Sequence, residues 1–335
     1  MQNIKELKSV LEEKVSVSNQ VILTSHNVMN NDLDFDAIGS LIGLELIIKK
    51  LGKPVYILIE EYPTKVESGV KKIVDEYKSN INIINIDKYK QIKSDNDLLI
   101  TTDTNKIDLV CCKDYLNLFK NIILIDHHEE NEKTIKTDLK YINPSVSSAS
   151  EIITELLTLF RVKYNADVAN YLLSGIYLDT NKYTKNCPAK TMNNVTRLLD
   201  KGADITKVNE FFEEDFLSDV KVHELVSKAN FFTYSIAICL ADESVRYTKE
   251  ELAKVADYLL RYKADAAFAA GFIDDELLSI SDRSKGKIDV GKIMSEFGGG
   301  GNAYSAASKI EDSSLLEVAQ QLTKIIKPIF YKEEK

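Results

Sequence analysis

The chain has 335 residues, of which 28% are charged and 44% apolar, with a formal net charge of −9. That length is enough for two or three domains with real cores. The acidic balance argues against broad electrostatic binding to duplex nucleic acid, whose phosphates favour a basic surface, but not against a small phosphate held through cations, which invert the local field.

The N-terminus, MQNIKELKSVLEEK, has the texture of an amphipathic helix rather than a signal peptide, because it lacks an apolar stretch of the right length. No apolar run approaches the roughly 20 residues of a membrane span, so the expectation is a cytoplasmic protein with no membrane partner. Short β-branched runs follow: VILTS (21–25), VYILI (55–59), NIINI (82–86), DLLITT (97–102) and NIILIDHH (121–128). Helical patterns lie between several of them, at 38–52, 66–78 and 109–119. Such alternation predicts a parallel sheet covered by helices. Further helices are expected over 147–161, 164–184 and 192–212. The texture then changes to a strand at 231–243, a helix after 245, two strands around an Asp-Asp turn over 264–284, and a helix, a glycine run and a second helix start over 290–310, before a C-terminal strand and helix. The predicted fold is α/β, with a catalytic domain over 1–195, a helical connector over 196–225 and a smaller α/β substrate domain over 226–335. The four cysteines, Cys111, Cys112, Cys187 and Cys239, show no zinc spacing and are expected as reduced thiols.

Carboxylates and histidines gather just past the expected strand ends of the first domain. They are His26 with Asp34 and Asp36, then Asp103, then Asp126-His127-His128, then Asp179. One aspartate after a strand is ordinarily a cap or a turn residue. Four such clusters in one domain are hard to attribute to capping, and in open α/β sheets the carboxyl edge is where ligands bind. Mixed imidazole and carboxylate donors suit manganese, with magnesium, zinc, iron and cobalt as alternatives. Two ions so held can activate water for in-line displacement at phosphorus. Ser147 and Ser148 open a helix with Glu151 in its first turn, which is either an ordinary helix start or a grip on a phosphate. Gly298–Gly301 sits between two helical patterns, where bare backbone amides could approach an anion. Arg283 is a plausible phosphate or base ligand.

The ordered set DLDFDAIGS, TTDTNK, ILIDHH and GIYLDTNKY closely resembles the DHH phosphoesterase superfamily, and SDRSKGKIDVGKIMSEFGGGGNAYSAAS resembles its companion DHHA1 domain. YINPSVSSASEIITELL and NEFFEEDF are especially like the catalytic part of the GdpP/YybT-type cyclic di-AMP phosphodiesterases, without that group's membrane and sensor segments. The resemblance implies two manganese ions. His26, Asp34 and Asp103 would hold one; Asp36, Asp103, His127 and Asp179 the other. It implies that His128 works at the substrate phosphate or the leaving oxygen and that Asp126 orients a histidine. Arg283, Gly299, Gly300, Gly301 and Asn302 would contact the nucleotide. The implied reaction opens cyclic di-AMP to pApA. The alternatives are a nanoRNase or pApA hydrolase acting on short oligoribonucleotides, and a non-catalytic nucleotide-binding protein. Homodimerisation is implied by analogy alone.

Two positions depart from the family pattern. His26 precedes Asp34 by eight residues with no proline between, so about four residues must loop out if His26 is a ligand. The glycine run is followed by Asn302 where the family has histidine, and asparagine carries no positive charge.

Overall fold

A computed structural model describes residues 1, 3–26, 33–59, 68–77, 80–213, 216–232, 235–262, 264–301 and 303–330. Asp32 and Asn302 lie outside the described residues. The chain divides into two units, Met1–Glu213 and Glu214–Lys335. The stretch expected as a connector is shared between them: its first two helices belong to the first unit and its last to the second.

The first unit opens on α1 (Ile4–Val17), capped by Asn3, which accepts hydrogen bonds from the amides of Lys5 and Glu6. Leu7, Leu11 and Val15 recur at helical spacing and face inward. The sheet strands are β1 (Val21–Thr24), β2 (Val55–Leu58), β3 (Ile83–Ile84), β4 (Leu98–Thr102), β5 (Asn121–Asp126) and β6 (Lys140–Ile142). All neighbours pair in parallel, in the order β3-β2-β1-β4-β5-β6. The order reverses between β1 and β4, which is the switch point where parallel sheets open a crevice at their carboxyl ends. The strands are apolar on both faces, as a doubly covered sheet requires. Val21, Leu23, Leu98, Ile100, Ile123 and Ile125 face the larger core, while Ile22, Leu99 and Leu124 face a smaller one with Tyr89 and Phe119.

The helices of this unit are α2 (Phe35–Lys50), α3 (Ser68–Tyr77), α4 (Ile86–Ile92), α5 (Ala149–Leu159), α6 (Ala166–Asp179), α7 (Ala189–Asp200) and α8 (Ile205–Phe211). The helix expected within 109–119 is a 3₁₀ turn, Lys113–Leu118. Helix α2 is buried nearly all round, so small residues let its neighbours approach. A side chain at Gly39 would meet the Tyr171 carbonyl at 2.6 Å, and one at Gly43 would meet Ile153 at 2.4 Å. At the amino edge of the sheet, Asp97 accepts from Gln20 (2.9 Å), Tyr89 (3.1 Å) and both the amide and hydroxyl of Ser94 (2.9 Å each), which fixes the entry to β4.

The second unit carries its own six-stranded mixed sheet, ordered β11-β12-β10-β9-β8-β7. Its elements in chain order are α9 (Phe216–Val226), β7 (Asn230–Phe232), β8 (Ile236–Leu240), α10 (Lys249–Leu260), β9 (Ala266–Phe272), β10 (Leu277–Ser284), α11 (Val290–Ser295), β11 (Gly300–Gly301), β12 (Ser305–Glu311) and α12 (Leu315–Phe330). Strands β8 and β9 pair in parallel, joined through α10, and the other described strand pairs are antiparallel. Each face of the sheet has its own core: Leu278, Ile280 and Phe268 with Ile293 and Met294 on one side, and Ala267, Ala269 and Cys239 with Leu252 and Val255 on the other. The second helix start expected after the glycine run is instead strand β12, which pairs along its length with β10. Its alternation of buried and exposed positions is that of a strand, although its alanines and serines do not announce one.

Candidate metal centre

The carboxyl edge of the first sheet gathers the acidic and histidine residues. Hydroxyls tie the strand ends: Thr24 donates to the Leu58 carbonyl (2.9 Å) and Ser25 to the Thr102 carbonyl (2.8 Å). His26, just past β1, donates through Nε2 to the Asp103 carbonyl at 2.5 Å, which leaves Nδ1 buried with no hydrogen-bond partner among the described residues. Asp103 follows β4 with φ of 59°, a left-handed conformation that aspartate tolerates better than most residues. Its amide still donates to Ile125 at 3.1 Å, so the turn begins without breaking the ladder.

Asp34 caps α2 by accepting from the Ala37 amide at 2.9 Å. Asp36, in the first turn of the same helix, caps a different one. Its two oxygens accept from the Ala149 and Ser150 amides at the start of α5, each at 2.7 Å. That arrangement fixes the carboxylate against a helix N-terminus, where negative charge is favoured. Gly175 makes room for it: a side chain there would meet Asp36 Oδ1 at 2.7 Å and Ser150 Oγ at 2.4 Å. Asp179 is the last residue of α6. It therefore arrives from a helix end rather than from a strand. Asp126 closes β5, and its Oδ1 accepts from the amides of His127 (2.7 Å) and His128 (3.2 Å) and from His128 Nδ1 (2.9 Å).

Three groups of ligand-capable atoms result. Those of His26, Asp34 and Asp103 lie within 4.8 Å of one another, as do those of Asp36, Asp103, His127 and Asp179, and those of Asp103, Asp126, His127 and His128. Asp103 belongs to all three, and in the last of them Asp126 is already engaged by the His127 and His128 amides and by His128 Nδ1. His127 Nε2 stands 3.2 Å from Asp179, 3.4 Å from Asp103 and 3.9 Å from Asp36. The eight-residue step from His26 to Asp34 does not keep the two apart, although residues 27–32 between them are not described. His223, the remaining histidine, belongs to the second unit, where it sits on α9 beside Asp219.

The electrostatics call for cations. Burial pushes Asp103 well above the usual carboxylate range, and the charges of Asp36, Asp34 and Asp179 push it further. Asp179 is driven up to about 10, by burial first and then by the charges of Asp36 and Asp34. Burial holds His127 below the ordinary histidine value, in the neutral form that ligates metals. Asp103 Oδ2, His26 Nδ1 and His127 Nε2 are buried without a hydrogen-bond partner among the described residues. Orphaned polar atoms of this kind are costly unless something completes them, and their N/O composition fits divalent ions of the manganese type. At His128, burial pulls the ring down, but the hydrogen bond and charge of Asp126 outweigh it, so its pKa lies above the usual histidine value. That ring is half exposed.

Ser147 and Ser148, expected to face a phosphate, are fully buried and otherwise engaged. Ser147 donates through both amide (3.0 Å) and hydroxyl (2.7 Å) to Glu151, and Ser148 Oγ accepts from the Glu151 amide. The α5 amides a phosphate would use are taken by Asp36. The helix-start reading of SSASE therefore fits and the phosphate grip does not. In the second unit, Arg283 stands 3.1 Å from Asp257 and donates to the Asp282 carbonyl at 2.9 Å. Gly299 and Gly301 are required by packing: added side chains would meet the Ala307 carbonyl at 2.2 Å and Ala306 at 2.4 Å, whereas Gly300 faces open space. The sequence reading missed the part of Gly175, whose signal is a glycine one helical turn before Asp179.

Comparison with known proteins places these features. Residues 27–176 match the model of the DHH family N-terminal domain, and residues 232–331 match that of the DHHA1 domain. The chain is 30% identical over 333 residues to the cyclic-di-AMP phosphodiesterase PdeA of Listeria monocytogenes, covering 96% of this chain but only 49% of PdeA. It thus spans about half the length of that relative. It is 28% identical over 244 residues to the bifunctional oligoribonuclease and PAP phosphatase NrnA of Mycoplasma genitalium, covering 70% of this chain and 74% of NrnA. Among solved structures, an exopolyphosphatase-related protein from Bacteroides fragilis shares the fold, with a TM-score of 0.74, 19% identity and 97% of each chain covered. The chain thus carries a DHH family N-terminal domain over its parallel sheet and a DHHA1 domain in its second unit.

Proposed function

We propose that the chain is a two-metal phosphodiesterase that opens cyclic di-AMP to linear pApA. The observation that carries the reading is the pair of donor groups sharing Asp103, three with His26 and four with His127. His26, Asp34 and Asp103 would hold one ion; Asp36, Asp103, His127 and Asp179 the other. Two divalent ions, manganese by the family resemblance, would supply water activation and charge neutralisation at phosphorus.

The residues contribute the rest. Asp36 arrives fixed by two α5 amides, so it need not reorder when an ion enters. His128, half exposed and kept basic by Asp126, is suited to protonate the departing ribose oxygen. Asp126 sets the orientation of that ring through Nδ1, leaving Nε2 to carry the proton outward. The cyclic di-AMP substrate rests on the likeness to PdeA across nearly the whole of this chain. Arg283, Gly300 and Asn302 are the proposed nucleotide contacts in the second unit.

A nanoRNase or pApA hydrolase is the second reading, favoured by the coverage of most of NrnA's own length. Incubation with manganese and, separately, cyclic di-AMP, cyclic di-GMP, pApA and short RNAs, with product resolution, separates them. Cyclic di-AMP consumed with pApA as first product is the expected result. Turnover of pApA without attack on the cyclic substrate favours the second reading, and nucleotide binding without any turnover sinks both.

A further inference from the structure

Glu151 is a fully buried carboxylate outside all three donor groups, and four donors converge on it. Its Oε2 accepts from the Ser147 amide (3.0 Å), the Ser147 hydroxyl (2.7 Å) and Thr191 Oγ1 (2.8 Å); its Oε1 accepts from Asn194 at 3.3 Å. Thr191 and Asn194 belong to α7, so Glu151 clasps α7 onto the first turn of α5.

Each end of that clasp leads to a different residue of the same donor group. On the α5 side, the next two amides after the cap, Ala149 and Ser150, hold Asp36. On the α7 side, the chain runs back from Thr191 to Asp179 through a turn in which Asn181, Lys182, Tyr183 and Asn186 all have positive φ. Thr180 braces that turn: its hydroxyl donates to Ile176 (2.6 Å) and accepts from the Tyr183 amide (3.0 Å), and its carbonyl accepts from Lys185 (2.8 Å). A run of left-handed residues persists only where its surroundings hold it. His26 and Asp103, by contrast, are carried by the ends of β1 and β4, and Asp34 by its own cap on α2.

We propose that Glu151 is a positioning residue that sets the spacing of Asp36 and Asp179, and thereby the affinity of the ion site they form with Asp103 and His127, leaving the site of His26 and Asp34 largely unaffected. The inference rests on the two-metal reading above. Glu151→Gln is the informative variant. Three donors meet on Oε2, so the glutamine oxygen must stand there, and its amide nitrogen then faces Asn194 with donor against donor. Thr191→Val removes one donor from the same oxygen and leaves the carboxylate in place.

The experiment is manganese titration of the full chain, wild type and each variant, by calorimetry and by electron paramagnetic resonance of the free ion, alongside thermal melting of the metal-free proteins. The expected result is two ions bound by the wild type. In Glu151→Gln one of them binds about 10–100-fold more weakly, the range seen when outer partners of metal ligands are removed, and the other binds unchanged. Thr191→Val shifts the same ion in the same direction by less. Adding Asp34→Asn to Glu151→Gln then removes the ion that was retained. Wild-type affinity for both ions in the two single variants overturns the proposal, and so does equal weakening of both, which general loosening would produce. Failure of the wild type to bind manganese overturns the two-metal reading and this inference with it.

Discussion

Asp103 is held in a left-handed turn, stripped of solvent and surrounded by like charge. Every one of those circumstances works against the metal-free fold, so function rather than stability accounts for its presence. Asp103→Asn keeps the shape and the tolerance for positive φ while removing the charge shared by the two proposed ion sites. Its metal-free melting temperature is expected to equal or exceed that of the wild type, while manganese affinity and turnover fall by at least roughly 100-fold. An active Asn variant would refute the shared-ligand assignment. Protons follow the same logic. Asp103 and Asp179 have raised values, so the metal-free protein holds protons there that an entering ion must displace. Manganese uptake is therefore expected to release protons and to tighten as pH rises from 6 to 8. Calorimetry in buffers of different ionisation enthalpy measures that release directly, and a pH-independent affinity would contradict it.

At the scale of elements, the site depends on how closely α2, α5 and α6 pack. Gly175→Ala places a methyl group within 2.4 Å of Ser150 Oγ and 2.7 Å of Asp36 Oδ1. Alanine favours a helix interior over glycine by about 1 kcal/mol, but overpacking costs about 1–3 kcal/mol, so the net expectation is a less stable protein. Because the intruding atom touches Asp36, manganese affinity should fall as well. Chemical denaturation and metal titration of the same sample test both parts. The sequence makes five of the six parallel strands legible, because each is a short apolar run followed at once by a polar residue, whereas the short β6 (Lys140–Ile142) is not among the expected runs. His26, Asp103 and Asp126 are legible for the same reason, since they stand where those runs stop. What is not legible depends on contacts remote in sequence. Strand β12 owes its form to pairing with β10, against the helical leaning of its alanines. The buried fate of Ser147 and Ser148 depends on Glu151 and α7, and the arrival of Asp179 from a helix end depends on where α6 stops.

For the molecule as a whole, two units with separate cores give stability two independent levers. The donor residues of the proposed ion site all lie in the first unit, and saturation of such a site at about 100 times Kd stabilises a binding unit by roughly 2.7 kcal/mol. The second unit carries a different burden. Asp282 lies fully buried on β10, beside Phe268 and Ala306, and neither of its oxygens has a well-formed hydrogen bond among the described residues. Burial pushes its carboxyl up to about 8, outweighing the Ala306 backbone and the Arg283 charge. The sign follows from linkage: the unfolded chain loses this proton near pH 4, while the folded one keeps it to about pH 8. The folded state is therefore progressively disfavoured between those values, by a few kcal/mol at the upper end. Asp282→Asn should flatten that slope and raise the second unit's stability above pH 8, leaving manganese binding unchanged. Hydrogen exchange of β10 and β12 amides across the pH range reads this out, and an unchanged slope would remove Asp282 as its cause.

The Asp97 cluster gives the first sheet a practical polarity. Its hydrogen bonds close the amino end of β4, and the donor groups occupy the carboxyl end, about 17–20 Å away along the strand. The exposed turn at Asp95 beside that cluster is thus a handle: a fluorophore or a short inserted tag placed there should report ion uptake, or tether the protein to a surface, without entering the chemistry at the other end.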